Sequence, residues 1–469
     1  MPNPLRVIHY LVYLTYRAGT AAICLLPIEW GFRIGRAVGG LGWWLLPAMR
    51  RLSEANLRIA FAGEKTDAEI GAMAREHFRR LGANLVSAVK LASLDEEEIM
   101  ARVVCEIPPD VEHLRRTRKG GWLAMISHIG NWEVFAHLGA IIPEFEIGAI
   151  YQPLGNPYID AHFRSARERF GLRLFNRRRD LMHANRFLRS GGVLGVLVDQ
   201  HAGDAGIWAP LFGRLASTSP LAASLATRAD APILPIACLT TGVARWRVEV
   251  SMPLPVRDDN PALLTAEINQ ALEAQIRRSP EDWLWAHNRW KTPAPNFLLS
   301  HYHRGVVYPA GFDKKLKPFR ILVVSPEHER DAIAGIKAVH AIKNGRPDVE
   351  LIVLAENAFA AFWRGQTCVD RVVAIEEDIQ FFNLVRAIAD LGRVDAAFMF
   401  STSRTKARAL LRAGVPRRVG YSALKPFVNQ PCIARTTDPG AEAFYLKLAV
   451  HAGANPDRAP TPAPALRSA

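Results

Sequence analysis

The sequence predicts an α/β chain: an N-terminal apolar helix, a larger αβ domain, and a smaller doubly wound domain. Three observations carry that reading. The 469 residues exceed one average domain. Hydrophobic residues make up 49%, enough for two cores. From Val103 onward, short apolar runs alternate with helical stretches twice over, on either side of an interval with no clear period.

In chain order, residues 1–50 read as a membrane anchor region. Positions 1–28 hold no Asp or Glu, and Val7 to Ile28 is largely apolar, interrupted by His9, Arg17 and Gly19. That is too long for a signal-peptide core and has no small-residue cleavage site after it. A spanning helix needs ~20 residues, yet a mid-bilayer Arg17 is costly. A helix lying in the interface, with Tyr10, Tyr13, Tyr16 and Trp30 near the headgroups, competes with it, and so does a buried amphipathic helix. Arg33, Arg36, Arg50, Arg51 and Arg58 follow the segment while only Arg6 precedes it, so the positive-inside rule keeps the body cytoplasmic.

Residues 51–292 form the larger domain. Ser53 to Leu94 reads as one helical stretch, and the strands are VVCEI, WLAMIS, IGAIY, GVLGVLV and APILPIA, with a last helix near Pro261 to Arg278. Residues 293–318 read as a linker. Residues 319–453 give the second rhythm, with strands FRILVVS, VELIVLA, RVVAI, VDAAFMF and RRVGY separated by helices. The Pro/Ala-rich stretch 454–469 reads as a disordered tail.

The balance of 59 Lys+Arg against 45 Asp+Glu, +14 in all, favours anionic partners: nucleic acid, anionic lipid or an acidic carrier protein. No zinc-finger spacing or RNA-binding aromatic signature is present, so nucleic acid is set aside. The five cysteines lie far apart without a C-x-x-C pair, which argues against a disulfide framework and a zinc site. No metal or cofactor is expected.

The chemistry concentrates in SHIGNWE, Ser127 to Glu133. If His128 and Glu133 shared one helix, five steps would set them ~140° apart. They converge only if His128 sits at a strand exit and Glu133 in the first turn of a helix begun at Gly130–Asn131. His128 then serves as general base toward an acceptor hydroxyl, with Glu133 orienting the ring. Backbone amides at the new helix start would face the developing oxyanion, an effect worth ~3 kcal/mol per donor. A merely structural His–carboxylate pair fits the same spacing.

SHIGNWE resembles the H-x-x-x-x-(D/E) motif of the lysophospholipid acyltransferase superfamily, in the form used by bacterial lipid A biosynthesis (lauroyl/myristoyl) acyltransferases. Three further blocks are similar to that group: NPYIDAHFRSARERFG, GVLGVLVDQHAGDAGIWAPLFGRLASTSP and PEDWLWAHNRWK. NLRIAF upstream fits as well. Leu211 stands where Phe is usual and Asn288 where Arg is common. The resemblance implies an acyltransferase αβ domain and transfer of a fatty acyl chain from acyl-carrier protein to a hydroxyl of a lipid A precursor. The thioester would be a co-substrate, at the cytoplasmic face of the bacterial inner membrane.

The same resemblance places Arg167 on the acceptor's phosphate or sugar. Asn131 is expected to bind substrate, as are Asp199 and Gln200, which sit at a strand exit where α/β sites usually lie; Phe212, Gly213 and Thr218 would shape the acceptor pocket. Asp199 as an ordinary turn cap, Arg167 on a solvated helix face and a plain turn at Phe212, Gly213 and Thr218 remain open beside those roles. Trp283, Trp285 and Trp290 would line the acyl groove or rest at the membrane interface, with core packing as the default. His287, Arg289 and Lys291 read as surface charge. The nine arginines between Asp160 and Arg189, against three acidic residues, suit carrier protein or anionic lipid.

The second domain is similar to the N-terminal half of heptosyltransferases of glycosyltransferase family 9, through FRILVVSPEHERDAIAGIKAVHAIKNGRPDVELIVLAE and AGVPRRVGY. That implies half of a GT-B architecture. Arg330 replaces the usual Gly before the retained Asp331, and the chain ends where a nucleotide-sugar-binding half should begin. A docking module for saccharide-transfer enzymes is therefore expected. Two other functions compete: acyl-CoA-dependent acylation of another phospholipid or glycolipid, and a non-catalytic membrane-tethered scaffold.

Overall fold

The computed structural model describes residues 4–254, 260–299, 305–313, 315–432 and 442–457. The chain divides into two compact units. The first takes residues 1–212, 216–291 and 306–311; the second takes 213–215, 292–305 and 312–469.

In the first unit four helices lead: α1 (Pro4–Cys24), α2 (Ile28–Leu45), α3 (Pro47–Phe61) and α4 (Asp67–Leu91). The single helix expected over Ser53 to Leu94 is thus broken. Gly63 adopts φ +82°, and Thr66 and Glu69 then form a reciprocal capping box that restarts the helix. α1 packs on α4 and on α8 (Pro157–Glu168). The Tyr16 hydroxyl meets His162 Nδ1 at 3.0 Å, and Asn156 donates to the His9 carbonyl at 2.8 Å.

Among the described residues no helix is long and apolar enough to cross a membrane. The spanning reading of residues 1–50 therefore has no element to carry it. His9, Arg17 and two threonines dilute α1, and one of its stripes is committed to the protein. Elsewhere on the helix Leu5, Ile8 and Leu11 are exposed. On α2 the residues Trp30, Ile34, Val38, Leu41 and Leu45, at steps of three and four, are exposed too.

The sheet follows after α5 (Glu96–Met100). It comprises β1 (Val103–Glu106), β2 (Trp122–Ile126), β3 (Ile147–Tyr151), β4 (Arg173–Asn176), β5 (Val193–Leu197), β8 (Ile233–Gly242) and β9 (Arg245–Val250), in the order β1-β9-β8-β2-β5-β3-β4. The ribbon strands β6 (Ile207–Leu211) and β7 (Arg214–Thr218) stand apart from it, joined by Phe212 (φ 52°) and Gly213 (φ 72°). Two positive φ angles make that a two-residue turn whose twist matches the strands. All described neighbours in the large sheet are parallel except β8–β9.

β2 is buried on both faces, as a central parallel strand must be. Leu123 and Met125 join the core built with α9 (Leu181–Arg189), α10 (Leu221–Ala229) and α11 (Pro261–Arg278). Ala124 and Ile126 face the opposite way, toward a 3-10 helix at Trp132–His137 and α7 (Leu138–Ile141). α6 (Pro109–Thr117) completes the set.

The second unit holds β10 (Phe319–Val324), β11 (Val349–Glu356), β12 (Arg371–Ile375), β13 (Ala396–Met399), β14 (Arg418–Gly420) and β15 (Gln430–Pro431). Its helices are α12 (Glu329–Lys343), α13 (Asn357–Arg364), α14 (Phe381–Ala389), α15 (Arg404–Arg412) and α16 (Glu442–His451). Strand order β12-β11-β10-β13-β14-β15, parallel throughout, is a doubly wound, Rossmann-like sheet.

Part of the expected linker 293–318 is core here. Phe297 and Leu298 are fully buried among the apolar residues of this unit, because their side chains are too large and apolar to leave in water. Of the expected tail, Ala454 is buried in the same core and 458–469 lie outside the described residues.

α2 and α4 touch backbone to backbone. A Cβ at Gly82 would lie 2.2 Å from the Gly35 carbonyl oxygen, whereas a Cβ at Gly71, on the same helix, meets nothing within 4 Å. Gly82→Ala is expected to destabilise the protein by about 1–3 kcal/mol. Gly71→Ala is expected to stabilise it by about 0.5–1 kcal/mol. Denaturant midpoints measure both, and equal effects would refute the packing account.

Candidate active site

Parallel pairing of β2 with β5 brings their C-terminal ends side by side, which is where sites form in such sheets. His128 leaves β2 and Asp199 leaves β5. The Asp199 carboxylate accepts three hydrogen bonds: from the His128 backbone N–H at 2.8 Å, from His128 Nδ1 at 2.8 Å, and from the Trp283 indole at 2.9 Å. Donation from Nδ1 to a carboxylate fixes the tautomer, leaving the Nε2 lone pair available. Among the described residues Nε2 has no hydrogen-bond partner.

The loop around Trp283 is locked in place. Ile129 bridges Trp283, Leu284 N–H donates to the His128 carbonyl at 3.0 Å, and Gly130 N–H donates to the Asp282 carbonyl at 2.9 Å. Asn56, on α3, donates to the carbonyls of Trp285 (2.8 Å) and His287 (2.7 Å). Gly130 has φ +57°, and a Cβ there would stand 2.1 Å from the Cys238 carbonyl oxygen. Glycine is thus required at the break.

Burial opposes a charged imidazole at position 128. The Asp199 carboxylate, by charge and by hydrogen bond, more than reverses that, with Glu133 adding, so the His128 pKa lies above the ordinary histidine value. Asp199 is buried, which penalises its charge, yet His128 and Trp283 hold its pKa well below the usual carboxylate range.

Glu133 does not orient this ring. Its two carboxylate oxygens take Nη2 and Nε of Arg167 at 2.7 and 3.0 Å, a bidentate pair. The imidazole's hydrogen bond goes to Asp199, because a 3-10 start turns Glu133 toward α8 while the β5 exit lies directly beside His128. The sequence reading that gave Glu133 the orienting role is corrected: its carboxylate holds Arg167 instead.

Two cavities meet at this point. The first, about 420 Å³, is mostly apolar and runs along the sheet face that carries Ala124, Ile126, Gly195 and Ile236, under Phe135. His128 and Gln200 are among its few polar lining residues. The second, about 840 Å³, lies between α1, α4 and α8 and is lined by several cationic side chains. Trp132, Glu133, Tyr151, Gln152, Leu154 and Arg167 line both. Asn131 reaches the second cavity, buried and with its Nδ2 group unpartnered.

Other predicted residues lie elsewhere. Phe212 is core, with its ring 5.3 Å from Phe61 and 6.3 Å from Trp285. Gly213 serves the ribbon turn through its positive φ. Thr218 is fully buried and accepts from Arg289 Nη2 at 2.7 Å. None of the three lines either cavity, since the ribbon's residues there are packed or turning. Arg289 is completely buried rather than surface charge.

Two participants escaped the sequence reading. Trp283 passed as core packing, although its indole N–H is the third donor to Asp199. Arg17 counted only against a spanning helix, although it lines the second cavity. In the second unit, Asp331 lines a polar cleft of about 340 Å³ with Glu327, Thr402 and Ser403, beyond the carboxyl ends of β10 and β13.

Residues 3–292 match the sequence profile of bacterial lipid A biosynthesis acyltransferases. The lipid A biosynthesis myristoyltransferase of Escherichia coli K12 is 25% identical over 299 residues, covering 62% of this chain and 90% of that protein. Lipid A biosynthesis acyltransferase 1 of Shigella flexneri matches to the same extent. The E. coli K12 lauroyltransferase is 26% identical over 284 residues, 59% of this chain and 90% of that one.

Among solved structures, a glycosyl transferase family 9 protein of Veillonella parvula DSM 2008 is similar at 13% identity and TM-score 0.27, covering 31% of this chain and 44% of that one. E. coli ADP-heptose LPS heptosyltransferase II is similar at 20% identity and TM-score 0.25, covering 29% and 41%. The chain spans under half the length of either, and likenesses this partial carry no argument.

Replacing Asp199 by Asn removes the charge that opposes burial. The His128 pKa is then expected to drop from above to below its ordinary value of 6.5. A histidine-resolved NMR titration of the two proteins checks this, and an unchanged or higher value would refute the electrostatic account.

Proposed function

The chain belongs to the bacterial lipid A biosynthesis acyltransferase family, and from that premise we propose that it moves a fatty acyl chain from an acyl-carrier-protein thioester to a hydroxyl of a lipid A precursor, with His128 as general base. The observation that carries this reading is the junction of an apolar cavity with a cationic one beside a carboxylate-held imidazole. A hydrocarbon tail in the first cavity gains ~0.8 kcal/mol per buried CH₂, and its thioester then lies at the cavity's polar end. The acceptor lies in the second cavity.

His128 Nε2 takes the hydroxyl proton while the oxygen attacks the thioester carbonyl carbon. The resulting imidazolium is held by Asp199. Asn131 Nδ2 and the first amides of the 3-10 helix are the candidate donors to the oxyanion. Collapse breaks the carbon–sulfur bond, and the departing thiolate takes the proton back from His128. Arg167, held in a fixed plane by Glu133, faces the acceptor side, where its guanidinium suits a phosphate or sugar.

Support for a carrier protein as donor comes from Arg177, Arg178 and Arg179. They follow the edge strand β4 at the same carboxyl-terminal end of the parallel strands as His128, and all three are exposed. Among the described residues none of the three side chains is ion-paired. The exposed apolar stripes of α1 and α2, with Arg33, Arg50 and Arg51 alongside, fit a helix pair lying in the inner membrane's cytoplasmic interface. The second unit fits a docking module for saccharide-transfer enzymes.

Membranes carrying the protein, given acyl-carrier-protein donor and an under-acylated lipid A precursor, are expected to yield the acylated product by mass spectrometry. His128→Ala should cut turnover about 10²–10⁴-fold. Undiminished transfer by that variant would overturn the mechanism. Reversing Arg177–Arg179 to Glu is expected to slow transfer from carrier protein but not from acyl-CoA, and equal slowing would remove the donor assignment.

A further inference from the structure

The apolar helix α1 carries two arginines, Arg6 in its first turn and Arg17 in its second half. Helical spacing places Arg17, Thr20, Ala21 and Cys24 on one face, and all four line the second cavity. Leu5, Ile8 and Leu11, exposed, lie on the opposite side of the helix. Arg17 is exposed and borders the cavity, on the side of α1 away from those three residues. Its hydrogen bond there is to the Tyr13 hydroxyl at 3.2 Å, a neutral partner.

The other charged groups around the cavity are already engaged. Arg167 is held by Glu133 in two contacts, and Arg164 pairs with Glu168 at 3.3 Å. Arg169 donates to the carbonyls of Ala92 and Leu94 at 3.0 and 2.8 Å. The Asp160 carboxylate accepts from Leu154 N–H at 2.7 Å. His162 meets Tyr16, and burial together with the Arg17 charge lowers its pKa, so it stays neutral and adds no charge. Among the described residues Arg17 is the cavity's one arginine without an anionic partner or a carbonyl to bind. An unpaired guanidinium at the cavity wall has its fork of N–H donors free for an anionic ligand there.

We infer that Arg17 is an acceptor-binding residue, taking a phosphate of an anionic glycolipid that occupies the second cavity. This rests on the acyl-transfer reading above, and it adds the chemistry by which the acceptor is chosen. Arg17 and Arg167 stand on different elements of the cavity wall, α1 and α8. A headgroup between them would be gripped from the α1 side by the unpaired cation and at the reaction end by the paired one. Selection is then for a phosphorylated amphiphile over a neutral one of the same shape.

The test compares a phosphorylated glycolipid acceptor with its dephosphorylated form, using full-length wild type, Arg17→Gln and Arg17→Lys. Arg17→Gln should raise KM for the phosphorylated acceptor about tenfold or more, as loss of a charge-assisted contact does. Its kcat should be unchanged, as should its KM for the dephosphorylated form. Arg17→Lys should recover much of the affinity. Inorganic phosphate should compete with the phosphorylated acceptor in wild type and less in Arg17→Gln.

Equal loss on both acceptors would make Arg17 merely structural and overturn the inference. Sensitivity to inorganic phosphate without discrimination between the two acceptors would assign a free-anion site and overturn it as well. If wild type acylates neither lipid, the acyl-transfer reading fails on its own. Equilibrium binding of the phosphorylated glycolipid to wild type and Arg17→Gln then still decides the role of Arg17: weaker binding by the variant supports it, equal binding sinks it.

Discussion

The Asp199 carboxylate is the constraint on which the site depends. It is buried, and an ionised carboxylate without partners in that setting would be worth several kcal/mol of penalty. Three donors remove the penalty, and each comes from a different direction: the backbone of the neighbouring strand exit, the imidazole on that exit, and the indole of a loop more than eighty residues later. One side chain therefore sets the position of His128, its tautomer and its basicity together. The loop bearing Trp283 is in turn tied to the N-terminal helices. Asn56 holds two of its carbonyls, and Arg80 on α4 approaches Asp282 at 3.3 Å. Helices that look peripheral in chain order are thus part of what positions the base.

The sheet face beneath His128 explains why a cavity exists there at all. Central parallel strands are normally packed with large branched residues on both sides. Here one face of β2 and β5 offers Ala124 and Gly195, and β3 adds Ala149, in a row. A Cβ at Gly195 would already come within 3.4 Å of Ile126 Cδ1. Small side chains at those positions leave space that the opposite face, packed against α9, α10 and α11, does not. The space is apolar, so water gains little by filling it and a hydrocarbon gains much. The polar groups gather only where this channel meets the second cavity, which confines charge development to one end of a long ligand.

Much of this was legible in the sequence, and the failures have definite causes. The strand exit at His128 could be read because WLAMIS is an unambiguous apolar run stopped by Gly130–Asn131, and a doubly wound order was implied by the alternation after Phe319. The partner of His128 was not legible. Glu133 is near in sequence and Asp199 is not, and adjacency of β2 and β5 is a property of topology that no local pattern encodes. The ribbon at Ile207 to Thr218 misled for a related reason. Its motif residues hold a turn and a core, as Phe212 does with Phe61 and Trp285, and a residue required for packing leaves the same trace in a motif as one required for binding. The break between α3 and α4 was available: T-D-A-E at Thr66 to Glu69 is a capping box, and helical periodicity on both sides hid it. Phe297 and Leu298 were lost in a segment whose prolines and histidines suggested a linker.

Arg17 shows how the same residue changes meaning once three dimensions are known. In a one-dimensional hydropathy reading, a cation inside an apolar segment only subtracts from the case for membrane crossing. In the structure, α1 is a wall with two chemically distinct sides. Its exposed leucines and isoleucine suit an apolar surface, and its Arg17 side encloses a cavity. A wall of that kind requires apolar length for one side and polar content on the other, which dilutes the mean hydropathy below that of a span. A helix with one side on a cavity lined by cationic side chains is not uniformly apolar, and the residue that breaks the uniformity points to where an anionic ligand would lie.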